Sequence, residues 1–378
     1  MLTTLHTQAY NVAARLYIAF ELSDKTWRLT SSDGKKRRSK TVEACAISAV
    51  LEEVAKAKQR FKLPAECEIV CCYEAGWEGF WLARCLQAQG MRVLVVDSSS
   101  IEVNRRKRSA KTDRVDGEKL LNLLLRYLGG ETKALRLVRV PSREEEDDRR
   151  LNRERDVLVK ERGRHWVRIK SLLRAQGLRV TKKTTFLKQL EALRCWDGQP
   201  LPDDLRQEIE RQWARHEQVH KQVLALERLQ KQRLKEAESE DGTLALVGRL
   251  LHLKGIGWQG AWALVMELFA WRKIRNRREL AALVGLTPTP YNSGDGVREQ
   301  GISKAGNRRL RSLLIELSWL WLRHQPDTDL SQWFRQRFGG GGKRMRRIGI
   351  VALARKLLVA LWRYVEHGVL PEGAVLKA

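Results

Sequence analysis

The chain contains 378 residues, and its 72 Lys and Arg outnumber its 45 Asp and Glu to give a formal net charge of +27. Hydrophobic residues make up 43% of the sequence, which is enough to build real cores and excludes wholesale disorder. A cationic excess of this size argues against an ordinary metabolic enzyme. It favours a polyanionic partner, either nucleic acid or an acidic membrane.

Eight elements are predicted in the first third of the chain. They are strands at 15–22 and 26–30, a basic third strand after the Asp33-Gly34 turn, a helix within 41–61, a strand at 68–73, a helix at 77–89, a strand at 92–96 and a helix at 113–128. Three strands in a meander followed by alternating helices and strands predict a mixed sheet flanked by helices, an α/β fold.

The rest of the chain is predicted to be helical. Gly129-Gly130 and Pro141-Ser142 mark a change of composition, and we expect three domains, 1–130, 143–240 and 244–368, of which the last is all-α. Apolar residues at spacings of three and four in the middle domain predict a coiled coil or a long antiparallel hairpin. Whether that stripe packs on its own chain or joins copies into a dimer or tetramer stays open.

Two apolar stretches, Trp258 to Trp271 and Ile348 to Trp362, come nearest to a membrane span. Both are shorter than the roughly 20 apolar residues that a span needs, and both contain charges. Residues 1–14 lack the basic and apolar regions of a secretory signal. We therefore expect a cytoplasmic protein with no membrane partner, whose six cysteines are reduced thiols rather than disulfides or zinc ligands.

Four carboxylates fall at the ends of predicted core elements. Glu21 follows the first strand, Glu74 follows the fourth, and Asp113 and Asp116 share one face at the start of a helix. Clustered carboxylates stay ionised if cations share them, and hard oxygen ligands suit Mg²⁺ or Mn²⁺. The set predicts a metal site for phosphoryl transfer, although each acid alone is also explained as a helix-start or surface residue.

Basic segments predict the contacts to nucleic acid. Six basic residues lie within eleven positions beside the two aspartates: Arg105, Arg106, Lys107, Arg108, Lys111 and Arg114. A second group lies near the C-terminus: Lys304, Arg308, Arg309, Lys343, Arg344, Arg346 and Arg347. Such segments bind phosphate backbones, although charge runs are also common on simply solvated surfaces.

Two further motifs lie in the third region. Leu253 to Val265 is typical of a helix-hairpin-helix, whose Gly-x-Gly turn can bind phosphate without reading bases. Ser293 lies on a Pro- and Gly-rich loop before a basic helix. A serine in such a loop is usually only a turn former. No Ser-His-Asp arrangement accompanies Ser293, so an active serine would need help from a metal ion or an arginine.

These motifs together resemble those of the IS-one-ten insertion-sequence family, the DEDD transposases described as bridge-RNA-guided recombinases. The resemblance covers about Arg15 to Gly368 and keeps its order along the chain. It rests on Ala19 to Ser23, Glu74-Ala75-Gly76, Lys111 to Asp116, Val140-Pro141, the Gly-Ile-Gly turn at 255–257, Gly285 to Pro288, Asn292-Ser293-Gly294, Ile302-Ser303-Lys304, Gly306 to Arg309 and Ala354 to Leu357.

The resemblance implies an RNase H-type, RuvC-like domain over 1–130, a coiled-coil hairpin, and a helical transposase domain. It implies that Glu21, Glu74, Asp113 and Asp116 bind Mg²⁺ and that Ser293 forms a covalent phosphoserine link to DNA. It also implies DNA and a structured guide RNA as partners. One departure is Glu21, where the family usually has Asp, so a carboxylate lies about an ångström further from the backbone.

Two alternatives stay open at the level of sequence. A metal-dependent junction resolvase or RNase H-like nuclease would use water and need no serine. A non-catalytic nucleic-acid-binding protein would keep the basic surface and lose the chemistry. Covalent capture of DNA by Ser293 separates the recombinase from both.

Overall fold

The computed structural model describes residues 14–101, 113–181, 183–237, 242–293 and 296–377, without the side chains at 99, 113–115, 291–293 and 296–299. The chain divides into two compact units, Met1–Pro141 and Ser142–Ala378. Within the described residues, no helix is long and apolar enough to cross a membrane. All six cysteines carry free thiols.

The first unit is built on a five-stranded mixed sheet in the order β3-β2-β1-β4-β5. The strands are β1 Arg15–Leu22, β2 Thr26–Ser32, β3 Arg37–Glu43, β4 Glu68–Glu74 and β5 Arg92–Val96. The pairs β1–β2 and β2–β3 are antiparallel, whereas β1–β4 and β4–β5 are parallel. This arrangement confirms the predicted mixed α/β sheet.

Three helices complete this unit: α1 Ile47–Phe61, α2 Trp81–Ala88 and α3 Asp113–Leu128. One face of the sheet packs Phe20 and Trp27 with α1 and α2, and the opposite face packs Ala19 and Cys72 with α3. Both faces are apolar because both are covered, which explains why β1 and β4 are hydrophobic almost throughout.

Two predicted boundaries in this unit were wrong. The helix expected from Thr41 begins at Ile47, because Thr41 and Val42 pair with β2. The helix expected from Trp77 begins at Trp81, because Gly79 takes a left-handed backbone conformation with φ of 62° and turns the chain first.

The second unit begins with a short helix, α4 Arg143–Asp147, and a pair of long helices, α5 Arg150–Ala175 and α7 Asp203–Glu236, with α6 Phe186–Leu190 between them. Ion pairs from Arg155 to Glu227 and from Arg168 to Glu208 show that α5 and α7 lie antiparallel. Part of the apolar stripe predicted on α7 packs against α5 of the same chain, through Ile209 and its neighbour Trp213.

The remainder of the second unit is a helical core with one β-hairpin. Its elements are α8 Thr243–His252, α9 Trp258–Leu264, a π-helical turn Val265–Phe269, α10 Arg277–Leu283, β6 Pro288–Ser293, β7 Gly296–Ile302, α11 Arg308–His324, α12 Asp329–Phe334, a second π-helical turn Arg335–Gly339 and α13 Lys343–His367. The Gly-Ile-Gly segment at 255–257 forms the turn between α8 and α9.

The prediction of an all-α third domain was wrong, because β6 and β7 form an antiparallel ribbon within it. The sequence pattern does not predict this ribbon, for a physical reason. Pro288 and Pro290 cannot donate backbone hydrogen bonds and therefore argue against a strand. In the structure the register shifts between these two prolines, which accommodates them.

Candidate active site and nucleic-acid interface

Glu21 and Glu74 lie at the carboxyl ends of β1 and β4, and both lie on the same face of the sheet. We call this end of the sheet the acidic edge. Phe20 pairs with Tyr73 across the parallel strands β1 and β4, so the next residues along both strands are these two glutamates. Side chains two positions apart on a strand share a face. Ala19 and Cys72, two residues earlier on each strand, pack in the core beneath α3, so both glutamates point to the α3 side.

The first turn of α3 lies against the same face of the sheet. A Cβ added at Gly117 would lie 2.8 Å from Oγ1 of Thr30, and Thr30 pairs with Ala19 of β1. The glycine therefore permits a close approach that any other residue would block. Asp116 directly precedes it in α3 and does not line the pocket at the ends of β1 and β4 described below. Asp113 begins the same helix, and its side chain lies outside the described part.

A pocket of about 410 Å³ opens at this edge. Four acidic residues line it, Glu21, Asp24, Glu74 and Glu78, together with Trp77. The described side chains contain no group of three or more His, Cys, Asp or Glu close enough to hold a metal ion. The donor chemistry of this edge is carboxylate oxygen, which suits Mg²⁺ or Mn²⁺.

Two thiols beneath this edge have no part in such chemistry. Cys71 and Cys72 of β4 are fully buried. Burial raises the pKa of both thiols well above the ordinary value of 9.0 because the apolar surroundings disfavour the thiolate. They are inert core residues.

Ser293 is the last residue of β6, where its backbone pairs with Gly296 of β7. Its side chain lies outside the described part. The base of the ribbon is fixed by backbone hydrogen bonds from Ser303 to Thr287 and from Lys304 to Gly285. A methyl group at Gly285 would lie 2.1 Å from a backbone oxygen, so the ribbon reaches the helices closely only because this residue has no side chain.

A groove with a volume of about 1150 Å³ lies beside the base of this ribbon. Eight basic residues line it: Arg277, Arg278, Lys304, Arg344, Arg347, Arg355, Lys356 and Arg363. Only two of its lining residues are acidic, Asp329 and Glu372. Several apolar side chains, among them Trp333, share the wall. Fixed positive charge of this density attracts polyanions.

Only some of the residues predicted to bind nucleic acid lie at this groove. Lys304, Arg344 and Arg347 line the groove, while Lys343, Arg346 and Arg308 are exposed without lining it. The segment holding Arg105, Arg106, Lys107, Arg108 and Lys111 lies outside the described residues, and so does the side chain of Arg114.

Sequence reasoning missed the rest of the cationic stripe on α13. Arg355 and Arg363 line the groove together with Arg344 and Arg347. Arg344, Arg347 and Arg355 lie within about 80° of one another around the helix axis, and Arg363 lies about 80° further round. That spacing was visible in the sequence. The residues between these arginines are mostly apolar, however, and that pattern favours the interpretation of a buried helix.

Arg309 has a different environment from the other basic residues. Its guanidinium lies 2.6 Å from Asp156 and 3.5 Å from Glu267, and it donates to the backbone oxygen of Asn152. Glu267 lies in the π-helical turn and is 3% exposed. It accepts two hydrogen bonds of 2.7 Å from Arg153. These bonds are the main reason that the pKa of Arg153 is raised.

Sequence profiles of known protein families match two parts of the chain. Residues 26–176 match the sequence profile of the DEDD transposases of the IS110 group, and residues 247–332 match the profile described as the transposase IS116/IS110/IS902 family. The first match begins at β2, continues through the rest of the sheet unit and ends just after α5, the first long helix of the hairpin. The second spans α8 to α12, including the ribbon.

Individual relatives carry transposase names. The chain is 43% identical to y4rJ of Sinorhizobium fredii over 96% of this chain and 94% of the relative. It is 26% identical to the transposase for insertion sequence element IS1328 of Yersinia enterocolitica, over 58% of this chain and 62% of the relative. It is 27% identical to the transposase for IS1111A of Coxiella burnetii, over 68% and 66%.

Proposed function

The chain belongs to the IS116/IS110/IS902 family of transposases, and on that premise we propose that it recombines DNA through a covalent link to Ser293. The enzyme is a DNA transposase. The proposal adds a mechanism in which the acidic edge of the sheet assists the reaction and a bridge RNA selects the sites. The observation that carries it is the placement of Glu21 and Glu74 at adjacent strand ends on the side covered by α3.

Ser293 is the proposed nucleophile. Its Oγ forms a bond to a phosphorus atom of the DNA backbone, the bond from that phosphorus to one deoxyribose oxygen breaks, and this oxygen takes the proton to leave as a hydroxyl. The phosphodiester is exchanged rather than hydrolysed, so attack by a hydroxyl of another strand restores the serine and rejoins DNA. Rejoining a cut strand without an outside source of energy requires this conservation, and hydrolysis by water does not provide it.

Glu21, Glu74, Asp113 and Asp116 are proposed to hold Mg²⁺. When bound, the ion would stabilise negative charge on the reacting phosphate. The role of the chain is to keep several carboxylates together, which is electrostatically costly without a cation. Glu21 is the residue of this set that departs from the family, which usually has Asp there. Its extra methylene moves one carboxylate ligand further from the backbone, whereas the positions of ligands in such sites are held to within about half an ångström.

Phosphate contacts are proposed for the groove beside the ribbon and for the basic segment at 105–114. The groove lies next to the base of the ribbon, and Ser293 lies at the other end of the same strand, about 16 Å away. A backbone held along Arg344, Arg347 and Arg355 would therefore have to continue along the ribbon to reach the proposed nucleophile. Contacts of this kind give affinity without sequence preference. The choice of sites is therefore assigned to base pairing with a structured RNA.

Copies of the chain are proposed to associate through the long hairpin. Val157 and Val167 on α5 are 57% and 60% exposed, and Leu224 and Leu229 on α7 are each 37% exposed. Apolar side chains on the outer faces of both helices suit a seam between copies. Light scattering should give a dimer or tetramer for the purified protein and a smaller particle for the double variant V157K/V167K. An unchanged mass would refute this seam.

The nucleophile is tested with the natural insertion sequence and its flanking DNA on a plasmid. Ser293→Ala should bind the DNA and form no covalent adduct on a denaturing gel, whereas Ser303→Ala, a serine just after the ribbon, should still form it. The opposite pattern would refute the assignment. Metal-dependent cutting without any adduct would favour the nuclease alternative.

The metal site and the guide are tested separately. Asp116→Asn should abolish strand exchange while leaving the melting temperature unchanged, and recombination at the normal rate would refute the site. Glu21→Asp should preserve or raise activity. Protein freed of RNA by nuclease treatment should recombine nothing until RNA copurified with the untreated protein is restored. Site-specific recombination without RNA would refute the guide.

A further inference from the structure

Trp77 is the most exposed large hydrophobic residue of the described chain, with 98% of its surface accessible. Tryptophan is among the residues that gain most from burial, because its indole offers a large apolar surface. A fully exposed indole beside a pocket is therefore available for contact with another molecule. Trp77 also lines the acidic pocket, three residues after Glu74.

The loop that presents Trp77 is held by hydrogen bonds at both ends. At its start, the backbone N–H of Ala75 donates to Val96 at 2.8 Å, and the hydroxyl of Ser98 donates to the carbonyl of Ala75 at 2.9 Å. At its end, the hydroxyl of Tyr73 donates to the carbonyl of Gly79 at 2.9 Å. The exposed position of the indole is therefore built into the loop.

A neighbouring tryptophan, Trp81 at the start of α2, provides a contrast. The indole N–H of Trp81 donates to the carboxylate of Glu78 at 2.9 Å, and its ring lies 5.8 Å from that of buried Trp27. The fold therefore packs one tryptophan of this region against the core, Trp81, which is partly buried. Trp77 is directed away from that core and towards the pocket.

The charge of the pocket indicates what the indole binds. Glu21, Asp24, Glu74 and Glu78 repel a phosphate unless cations accompany it, but they do not repel an uncharged nucleobase. A base stacks on an indole face without adding charge, and an aromatic platform accepts any base. The pocket thus offers carboxylates for the backbone and an aromatic surface for the adjoining base.

We propose that Trp77 is a stacking platform for a DNA base next to the phosphate that reacts at the acidic edge. This inference rests on the proposed function, because it requires that Glu21 and Glu74 act on DNA. Trp77 is a positioning residue. By stacking the base, it fixes the rotation and depth at which the adjoining phosphate meets the carboxylates.

Photo-crosslinking tests the contact without relying on turnover. The Ser293→Ala protein, with its copurified RNA, is bound to junction DNA carrying 5-iododeoxyuridine at one thymidine position at a time. Irradiation should attach one position, within a few nucleotides of the exchange point, to Trp77, as identified by fragment mass spectrometry. Trp77→Ala should lose this crosslink and Trp196→Ala should keep it. Trp196 is the matched control, an indole that is 80% exposed in the other unit.

A protein–DNA double-mutant cycle then measures the stacking. An abasic site at the crosslinked position should slow strand exchange by the wild type about 5- to 150-fold, the range expected for one aromatic–base stack. Trp77→Ala should be slowed similarly on intact DNA, and the abasic site should slow it little further. Trp77→Phe should retain most of the rate.

The outcomes separate the inference from the proposed function. If Trp77→Ala keeps the crosslink, or if the abasic penalty is the same in both proteins, the stacking inference is refuted although the transposase chemistry stands. Weakened self-association with unchanged DNA dependence would assign Trp77 to a protein partner and would also refute it. Normal recombination by Asp116→Asn would instead remove the metal site on which both proposals depend.

Discussion

The buried carboxylate Glu267 allows a test of what the Gly-Asn-Arg-Arg segment does in this fold. Glu267 joins Arg153 of α5 to Arg309 of α11, so it ties the long hairpin to the helical core that carries the ribbon. Glu267→Gln removes the negative charge and places an amide N–H₂ against a guanidinium. One acceptor becomes a donor that faces another donor.

The cost follows from the burial of the three groups. Breaking a buried ion pair by removing one partner costs about 3–5 kcal/mol when the remaining charge stays buried. Here the side chains of Arg153 and Arg309 are 52% and 25% exposed and recover part of their hydration, whereas that of Glu267 is 2% exposed. We therefore expect the lower end, about 3 kcal/mol, which shifts the melting temperature of a unit of this size by roughly 6–12 °C.

Circular dichroism during thermal unfolding, supported by urea titration, measures this loss. The control is Glu208→Gln, which breaks the ion pair between Glu208 of α7 and Arg168 of α5. The side chain of Arg168 is 55% exposed and that of Glu208 is 35% exposed. An exposed pair contributes at most about 1 kcal/mol, so the control should melt within roughly 4 °C of the wild type. A Glu267→Gln protein that melts no lower than this control would refute the reasoning.

A double-mutant cycle locates the interaction. If Arg309 stabilises the fold through Glu267, then Arg309→Met should cost much less in the Glu267→Gln background than in the wild type. Equal costs in both backgrounds would show that Arg309 stabilises the fold through its other partners, Asp156 and the backbone of Asn152, and not through Glu267.

Three further predictions follow from particular residues. Gly306→Ala should destabilise the second unit by more than about 1 kcal/mol, because φ is +99° and a Cβ would lie 2.4 Å from a backbone oxygen. The control is Gly301→Ala, where φ is +88° and a Cβ would meet nothing within 4 Å. Its melting temperature should fall less than that of Gly306→Ala. Burial lowers the pKa of His216 below its ordinary value of 6.5, so its contribution to stability is complete above pH 6.5 and falls as the pH drops towards the folded pKa. His216→Phe should therefore unfold with less dependence on pH between about pH 7 and 5, and an unchanged pH profile would contradict this. The double variant of Arg347→Gln and Arg355→Gln should lower the slope of log affinity for duplex DNA against log salt by up to about 2 in fluorescence anisotropy, and an unchanged slope would exclude both from phosphate contact.

Much of the first unit follows from its sequence. The strands around Phe20 and Val70 are continuous apolar runs bounded by turn residues, and their local pattern is enough to give the order of strands and helices. The carboxylates Glu21 and Glu74 were found for the same reason, because each stands where such a run ends. The positions of strand ends and helix starts are local properties of the chain.

Other features depended on tertiary contacts. Thr41 is compatible with a helix or a strand, and pairing with Arg28 decided for the strand. Pro290 argues against a strand, yet the partner strand and a shift of register stabilise the ribbon that contains it. In both cases the deciding hydrogen bonds come from residues distant in sequence, which no local pattern records.

The sequence by itself determined the cationic character of the protein, its mixed sheet and its family motifs. Only the tertiary structure decided the environment of each charge. Arg309 and Arg347 are similar in the sequence, both lying in basic clusters near a helix start. The fold places Arg309 against Glu267 and Asp156 and leaves Arg347 on the wall of an open groove. The difference arises because acids on α5 and in the π-helical turn approach one guanidinium, while no acid approaches the other closely enough to form an ion pair within the described residues.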